Sequence, residues 1–297
     1  MPSTHPGRDV NALRKPHDDE VDVYGLTHPG KVRQTNQDHF LICSVRKQVQ
    51  VHRTSLPDAE RLPLAGERLA FLAVVADGVG GGTKGETASR LALERVTEYV
   101  TLTMRAYHER DKDDDQPFLD ALQEAAWKSH ATVVAEAEAE PARRGMATTL
   151  TLWLGVWPKA YLLQVGDSRF YIFREDRLTR ISRDQTMAQE LVDQGVLTHA
   201  MAVNTKWANV LSSSIGGQQT APVVTRLDQD WQNVGLLCSD GLIKHVSDER
   251  IAERLRTMTS SQQACEALLQ DALDGGGSDN VSIIVIRDVK NPEYDVP

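Results

Sequence analysis

Long apolar stretches are missing from this chain of 297 residues. The longest unbroken run, Leu69 to Ala76, has eight residues, far short of the roughly 20 that cross a bilayer, so no membrane span is expected. The opening residues, MPSTHPGRDVNALRKPHDDE, lack the apolar segment of a secretory signal, which makes a cytoplasmic location the default expectation. An excess of basic residues is also missing. Asp plus Glu number 42 and Lys plus Arg 33, a formal charge of -9. That balance argues against nucleic acid or an anionic membrane as partner and favours a bound cation. Cysteine is scarce. Cys43, Cys238 and Cys265 are odd in number, far apart and set among apolar residues, as reduced core thiols are and as a disulfide frame or a zinc site is not. A cysteine-dependent phosphatase needs an arginine six positions after its nucleophile, and those positions hold Val49, Lys244 and Asp271. That chemistry is excluded.

What is present is ordinary for a soluble globular chain, with 40% hydrophobic and 25% charged residues and enough apolar material for a sizeable core. There is no internal repeat and no Gly/Ser/Pro linker long enough to separate a pair of domains, so one large domain is expected over residues 21–287. Loose tails are expected at 1–20 and 288–297. Short apolar, β-branched runs predict strands at Val21 to Leu26, Phe40 to Val45, Leu69 to Ala76, Thr148 to Val156, Tyr161 to Val165 and Phe170 to Phe173. Further strands are predicted at Val223 to Leu227, Val234 to Cys238 and Val281 to Ile286. Apolar residues at helical spacing predict helices from Lys84 to about Tyr107 and from Pro117 to Ala139. A second pair is predicted at Ser247 to Met258 and Ser261 to Leu273, each opened by a serine suited to capping. Helices in pairs between groups of strands do not alternate as βαβ units do, which points to an α+β layered sandwich with mostly antiparallel strands. The basic stretch from Arg46 to Arg68 reads as an exposed excursion between two strands.

Four aspartates fall at strand ends. Asp77 closes LAFLAVVA, Asp240 follows VGLLCS, Asp279 precedes NVSIIVI and Asp38 precedes HFLIC. A single Asp-Gly after a strand is usually a turn former. Four such ends side by side on one rim would repel one another unless cations sit between them. Oxygen donors without a His or Cys cluster favour Mg2+ or Mn2+ over zinc. Gly78 and Gly241 lack the Cβ that would hold the backbone away, so a main-chain carbonyl can join the ligands. The stretch Asp77 to Gly85, DGVGGGTKG, fails the P-loop spacing and is better read as a metal loop.

Six blocks in order, GKVRQTNQDHF (30–40), VVADGVGG (74–81), GMATT (145–149), VGDSR (165–169), LCSDGL (237–242) and SDNVS (278–282), resemble the signature of the metal-dependent PPM, or protein phosphatase 2C-like, Ser/Thr phosphatases, the bacterial branch above all. The resemblance implies a four-layer α-β-β-α sandwich, two stacked antiparallel sheets flanked by helix pairs. It implies a binuclear Mn2+ or Mg2+ site in which Asp77 bridges the ions, the Gly78 carbonyl binds one, and Asp38, Asp240 and Asp279 complete the set. A metal-activated water would then hydrolyse phosphoserine or phosphothreonine, with Arg33 holding the phosphate. Asn280 would orient a metal water, Asp167 would brace its turn, and residues 182–217 would form a mobile flap with a helix near Met187 to Gln194.

Departures from that pattern carry expectations of their own. Gln37 stands where many members have Glu, and Val79 stands where eukaryotic members often have a His that can protonate the leaving group. Two further positions that hold aspartates binding a third ion in many members are Arg144 and Lys244 here, so two ions rather than three are expected. Both cations are expected to reach back toward Asp240. The intact Asp38, Asp77, Asp240 and Asp279 favour a phosphatase acting on a phosphorylated protein, such as a Ser/Thr kinase or its targets. The same scaffold also fits a non-hydrolytic phosphoprotein-binding regulatory module, or a phosphatase of a partner-switching anti-anti-sigma protein. A monomer is favoured.

Overall fold

The computed structural model describes residues 14–47, 66–107 and 115–294. The first sheet-forming stretch is β1 (Val21–His28), followed by β2 (Asp38–Lys47), β3 (Glu67–Val79) and the helices α1 (Thr83–Tyr107) and α2 (Gln116–Ala139). Five short strands come next, β4 (Ala147–Thr148), β5 (Leu150–Val156), β6 (Lys159–Val165), β7 (Arg169–Arg174) and β8 (Arg177–Arg180). Then follow α3 (Met187–Asp193), α4 (His199–Ala202), β9 (Val223–Asp228), β10 (Val234–Cys238), α5 (Asp240–Ile243), α6 (Asp248–Arg256), α7 (Ser261–Asp274) and β11 (Val281–Asp288).

The strands form two sheets, ordered β1-β11-β10-β7-β8 and β2-β3-β5-β6-β9, with β4 paired to β3. All the pairings described are antiparallel. Successive side chains on a strand point to opposite faces, so a strand between two layers must be apolar on both. β3 shows this. Leu72 and Val74 join Ala88, Val96, Phe118 and Leu122 in a core under α1 and α2. Ala73 and Val75 meet Phe170, Leu237 and Ile284 between the two sheets. A third core packs Leu236, Ile283 and Val285 against Ile251, Leu255 and Leu268 of α6 and α7. The layers therefore run α-β-β-α.

Local departures from expectation have local causes. Ser260, not Ser261, caps α7, accepting from the Gln263 amide. The Ser261 hydroxyl donates instead to the Asp22 carbonyl. β8 carries the sequence RLTR, too polar to signal a strand. It exists because Glu175 and Asp176 both adopt left-handed φ, 50° and 65°, and turn the chain back onto β7. α5, four residues long, is too short to leave a periodic signal.

Both expected tails are partly docked. Of the N-terminal tail expected over 1–20, residues 1–13 lie outside the described residues. Residues 14–20 do not hang free: Glu20 is fully buried, pairs with Arg14 at 2.7 Å, and accepts from the Asn291 amide at 2.9 Å. Its folded carboxyl lies well below the usual range, at about 2, chiefly because of the Arg14 hydrogen bond. Tyr294 of the other expected tail donates to Asp19 at 2.9 Å. The two ends hold each other. Most of the basic excursion, 48–65, lies outside the described residues, while its ends, Arg46 and Arg68, are paired across β2 and β3 and both contact Asp18.

Candidate metal centre

Four strand ends meet at one end of the sandwich. β2 begins at Asp38 and β3 runs out through Asp77, and the antiparallel register sets these two residues directly opposite each other. β10 ends at Cys238 and delivers Asp240 as the first residue of α5. Asp279 leads into β11. The aspartates thus come two from each sheet, facing across the sandwich, rather than side by side on the rim of one sheet.

Backbone geometry fixes the ends. The Asp77 amide donates to Thr149 Oγ1 at 2.9 Å, and its carbonyl accepts from the Thr149 amide and from Thr148 Oγ1, both at 2.9 Å. The Met-Ala-Thr-Thr segment therefore clamps the strand end that carries Asp77. A Cβ on Gly78 would lie 2.2 Å from the Gly85 carbonyl oxygen, and one on Gly241 would lie 2.0 Å from that of Asn280. Neither place admits a side chain. The loop between β1 and β2, which carries Arg33, is stapled by Asn280. Its Nδ2 donates to the carbonyls of Pro29 and Thr35, both at 3.0 Å, and its Oδ1 accepts from the Gln37 amide at 2.9 Å. Expected as the holder of a metal water, Asn280 has both amide hydrogens committed to the loop instead.

Electrostatics mark the site. Burial pushes the Asp38 carboxyl up to about 6, against the lowering influence of the nearby Ser239 and Ser282 hydroxyls, with Asp240 and Asp279 adding to the rise. Asp77 is raised well above the carboxylate range by burial and by Asp38 and Asp240. Asp167, expected only to brace a turn, is buried beside Asp240 and pushed up to about 7, first by burial and then by Asp240. Its neighbour Ser168 also ties the turn down, its hydroxyl pairing with Thr149 Oγ1 at 2.8 Å. Asp279 goes the other way. Burial would raise it, but Lys244 and Arg33 outweigh that and lower it. Arg33 Nε lies 2.8 Å from Asp279 Oδ1, and a second guanidinium nitrogen donates to Oδ2 at 3.0 Å. Lys244 Nζ lies 2.6 Å from Asp240 Oδ2 and 2.7 Å from Asp279 Oδ2.

Among the described residues no three His, Cys, Asp or Glu side chains close into a finished metal cage. The donor set still fits a hard divalent cation. Asp38 Oδ1 and Asp240 Oδ1 are buried with no hydrogen-bond partner, the donors are all oxygens, and two protein cations already stand among them. An unpaired buried carboxylate oxygen is costly unless a cation meets it.

The sequence profile described as "Protein phosphatase 2C" matches residues 61–275, most of the chain. The chain belongs to the protein phosphatase 2C family. Its sequence is 36% identical over 233 residues to the serine/threonine protein phosphatase PstP of Mycobacterium tuberculosis, covering 77% of this chain and 42% of that protein. It therefore spans about two-fifths of the length of that relative. The serine/threonine phosphatase Stp of Listeria innocua is 26% identical over 217 residues, with 73% of this chain and 84% of that protein covered. The crystal structure of M. tuberculosis PstP/Ppp superposes with a TM-score of 0.72 at 29% identity, over 91% of this chain and 99% of that one. A structure of the PstP catalytic domain in complex with two manganese ions gives 0.69, also at 29% identity, with the same coverage of 91% and 99%.

This protein phosphatase 2C chain departs from the family pattern in ways the geometry sharpens. Of the two cations expected to reach Asp240, Lys244 does so and Arg144 does not. Gly145, with a left-handed φ of 77°, turns the chain just after Arg144. The Arg144 side chain stays exposed, and its carbonyl accepts from Lys84 Nζ at 3.1 Å. Gln37, in the place of an acid, donates its amide to the Gly82 carbonyl. Val79 stands 42% exposed and supplies no proton. A cleft between α5 and the 182–217 segment is lined by Asp167, Arg169, Asp184, His199, Asp240 and Lys244, among others.

Proposed function

We propose that the chain is a metal-dependent protein phosphatase of phosphoserine and phosphothreonine. The observation that carries this is the pair of unpartnered buried oxygens, Asp38 Oδ1 and Asp240 Oδ1, brought to one end of a protein phosphatase 2C fold by strands of its two sheets. Asp38, Asp77, the Gly78 carbonyl, Asp240 and Asp279 would hold two Mn2+ or Mg2+ ions. Bound there, the ions would acidify a water and offset the charge of a phosphate ester.

The remaining roles belong to side chains. Ser282 fixes Asp38 Oδ2 at 2.9 Å and leaves Oδ1 as the oxygen free to meet a cation. Arg33, 53% exposed, spends its Nε and Nη2 on Asp279 and leaves the Nη1 edge of the guanidinium for a phosphate. The Thr148 and Thr149 clamp keeps Asp77 in register while charge develops beside it. The substrate would be a phosphorylated protein, a Ser/Thr kinase or its target, met by a monomer in the cytoplasm. No helix among the described residues is long and apolar enough to cross a membrane.

Hydrolysis of p-nitrophenyl phosphate and of a phosphothreonine peptide, with Mn2+ and with EDTA, tests the reading. Turnover only with the ion is expected, and full turnover in EDTA refutes it. One observation favours the non-hydrolytic alternative: Lys244 and Arg33 already neutralise Asp279. Phosphopeptide binding without turnover at any Mn2+ concentration would select that reading. Turnover confined to a phosphorylated anti-anti-sigma protein would select the partner-switching one.

A further inference from the structure

Lys244 lies where a positive charge is wanted for reasons that begin in the helix. Asp240 opens α5 and Lys244 follows four residues later, one turn on, with its amide bonded to the Asp240 carbonyl at 3.0 Å. Residues four apart share a helix face, so the ammonium is carried back over the aspartate. The side chain then reaches Asp279 as well, and the two contacts, 2.6 and 2.7 Å, are as short as charge-assisted hydrogen bonds become. Lys244 thereby ties the end of β10 to the approach to β11 through their carboxylates. When Asp38, Asp77, Asp240 and Asp279 all ionise they outnumber Arg33 and Lys244 by two charges, and Asp167 beside Asp240 adds a third when it ionises.

We propose that Lys244 is a resident counter-cation of the metal centre: it holds Asp240 and Asp279 together in the metal-free protein and competes with a divalent ion for them. The proposal rests on the reading that these aspartates bind metal. Ions then load in two stages. One is accepted with Nζ in place, and the other binds only as Nζ leaves Asp240 and Asp279. Loading a carboxylate that already holds an ammonium forfeits that attraction, so the second stage is the weak one. An ammonium also differs from the anionic side chain it replaces in cost to the empty site. Without metal, this chain keeps its acidic cluster partly neutralised.

The test compares the full chain with Lys244→Met and Lys244→Gln, which remove the charge, and with Lys244→Arg, which keeps it. Calorimetric titration with MnCl2 should show the weaker binding stage tightened by at least about tenfold in the Met and Gln variants and little changed in the Arg variant. In EDTA, the Met and Gln variants should melt several degrees below the parent, and saturating Mn2+ should restore them to it or above. Equal Mn2+ affinity in the parent and in the neutral variants overturns the proposal and leaves the metal reading standing. Mn2+ binding to none of them, the parent included, removes the metal reading and the proposal with it. Tightened binding in the Gln variant alone, should the Met variant fail to fold, supports it equally.

Discussion

Asp38 and Asp77 are register partners on adjacent antiparallel strands, so two carboxylates stand directly opposite each other at one end of the sandwich. Like charges in that position repel, and here both are raised, Asp38 to about 6, mainly by burial. Each carboxyl keeps its proton in the folded chain to higher pH than in the unfolded one.

That arrangement has a pH signature. A raised folded value contributes stability below the unfolded value and loses it as pH climbs through the folded one. For Asp38 and Asp167 the window runs from the ordinary 3.8 to about 6 and about 7. In EDTA the melting temperature should therefore decline across that window, and Asp38→Asn should flatten some of the decline. The proposed metal binding has the opposite demand, since only ionised carboxylates would ligate Mn2+. Apparent Mn2+ affinity should fall as pH drops through about 6, with protons released on binding. A pH-independent affinity across the same window would contradict the assignment.

Asp240→Asn should separate function from stability. Loss of a carboxylate that carries an unpartnered buried oxygen should lower phosphatase turnover by at least about a thousandfold. The metal-free protein should change little in melting temperature, because Lys244 retains Asp279. Hydrolysis within about tenfold of the parent would show that Asp240 does not serve the reaction.

Arg33→Ala should raise KM for a phosphopeptide by about tenfold and lower kcat/KM, while the Mn2+ dissociation constant moves by no more than a few-fold. Arg33 is half exposed and touches one aspartate, so little else depends on it. A lost Mn2+ stage with KM unchanged would reassign it as a support for Asp279.

Asn280→Ala should act through the fold. Three hydrogen bonds that pin the loop before β2 would vanish from a buried position, at a cost of about 2–4 kcal/mol. Urea unfolding in EDTA measures this. An unchanged midpoint would return Asn280 to the role of holding a water.

Within the 182–217 segment, hydrogen exchange should not be uniform. Ser212, Ser213 and Ser214 suggest a loose, polar stretch by sequence, yet Ser213 and Ser214 are buried, and Ile215 bridges to Thr148. Amides at 211–215 should exchange far more slowly than those at 196–209, where Val196, Met201 and Val203 are exposed. Uniformly fast exchange across the segment would refute this.

Much of the architecture is legible in one dimension. Strands such as β3 and β11 are continuous apolar runs because both faces are buried, and helices α2 and α7 repeat apolar residues every three or four positions. Asp38, Asp77, Asp240 and Asp279 are visible because a charge at the end of an apolar strand stands out locally. What could not be read there is whatever depends on distance between segments of the chain far apart in sequence. The division of the four aspartates between two sheets follows from strand order. Asn280 became a staple because the loop at 29–37 folds over it, some 250 residues away in sequence. That Lys244 reaches Asp240 is expected from sequence, but that it grips Asp279 as well, while Arg144 grips neither, is decided by the folded chain. Burial and Coulomb attraction act over ångströms in space. Only the folded chain sets those distances.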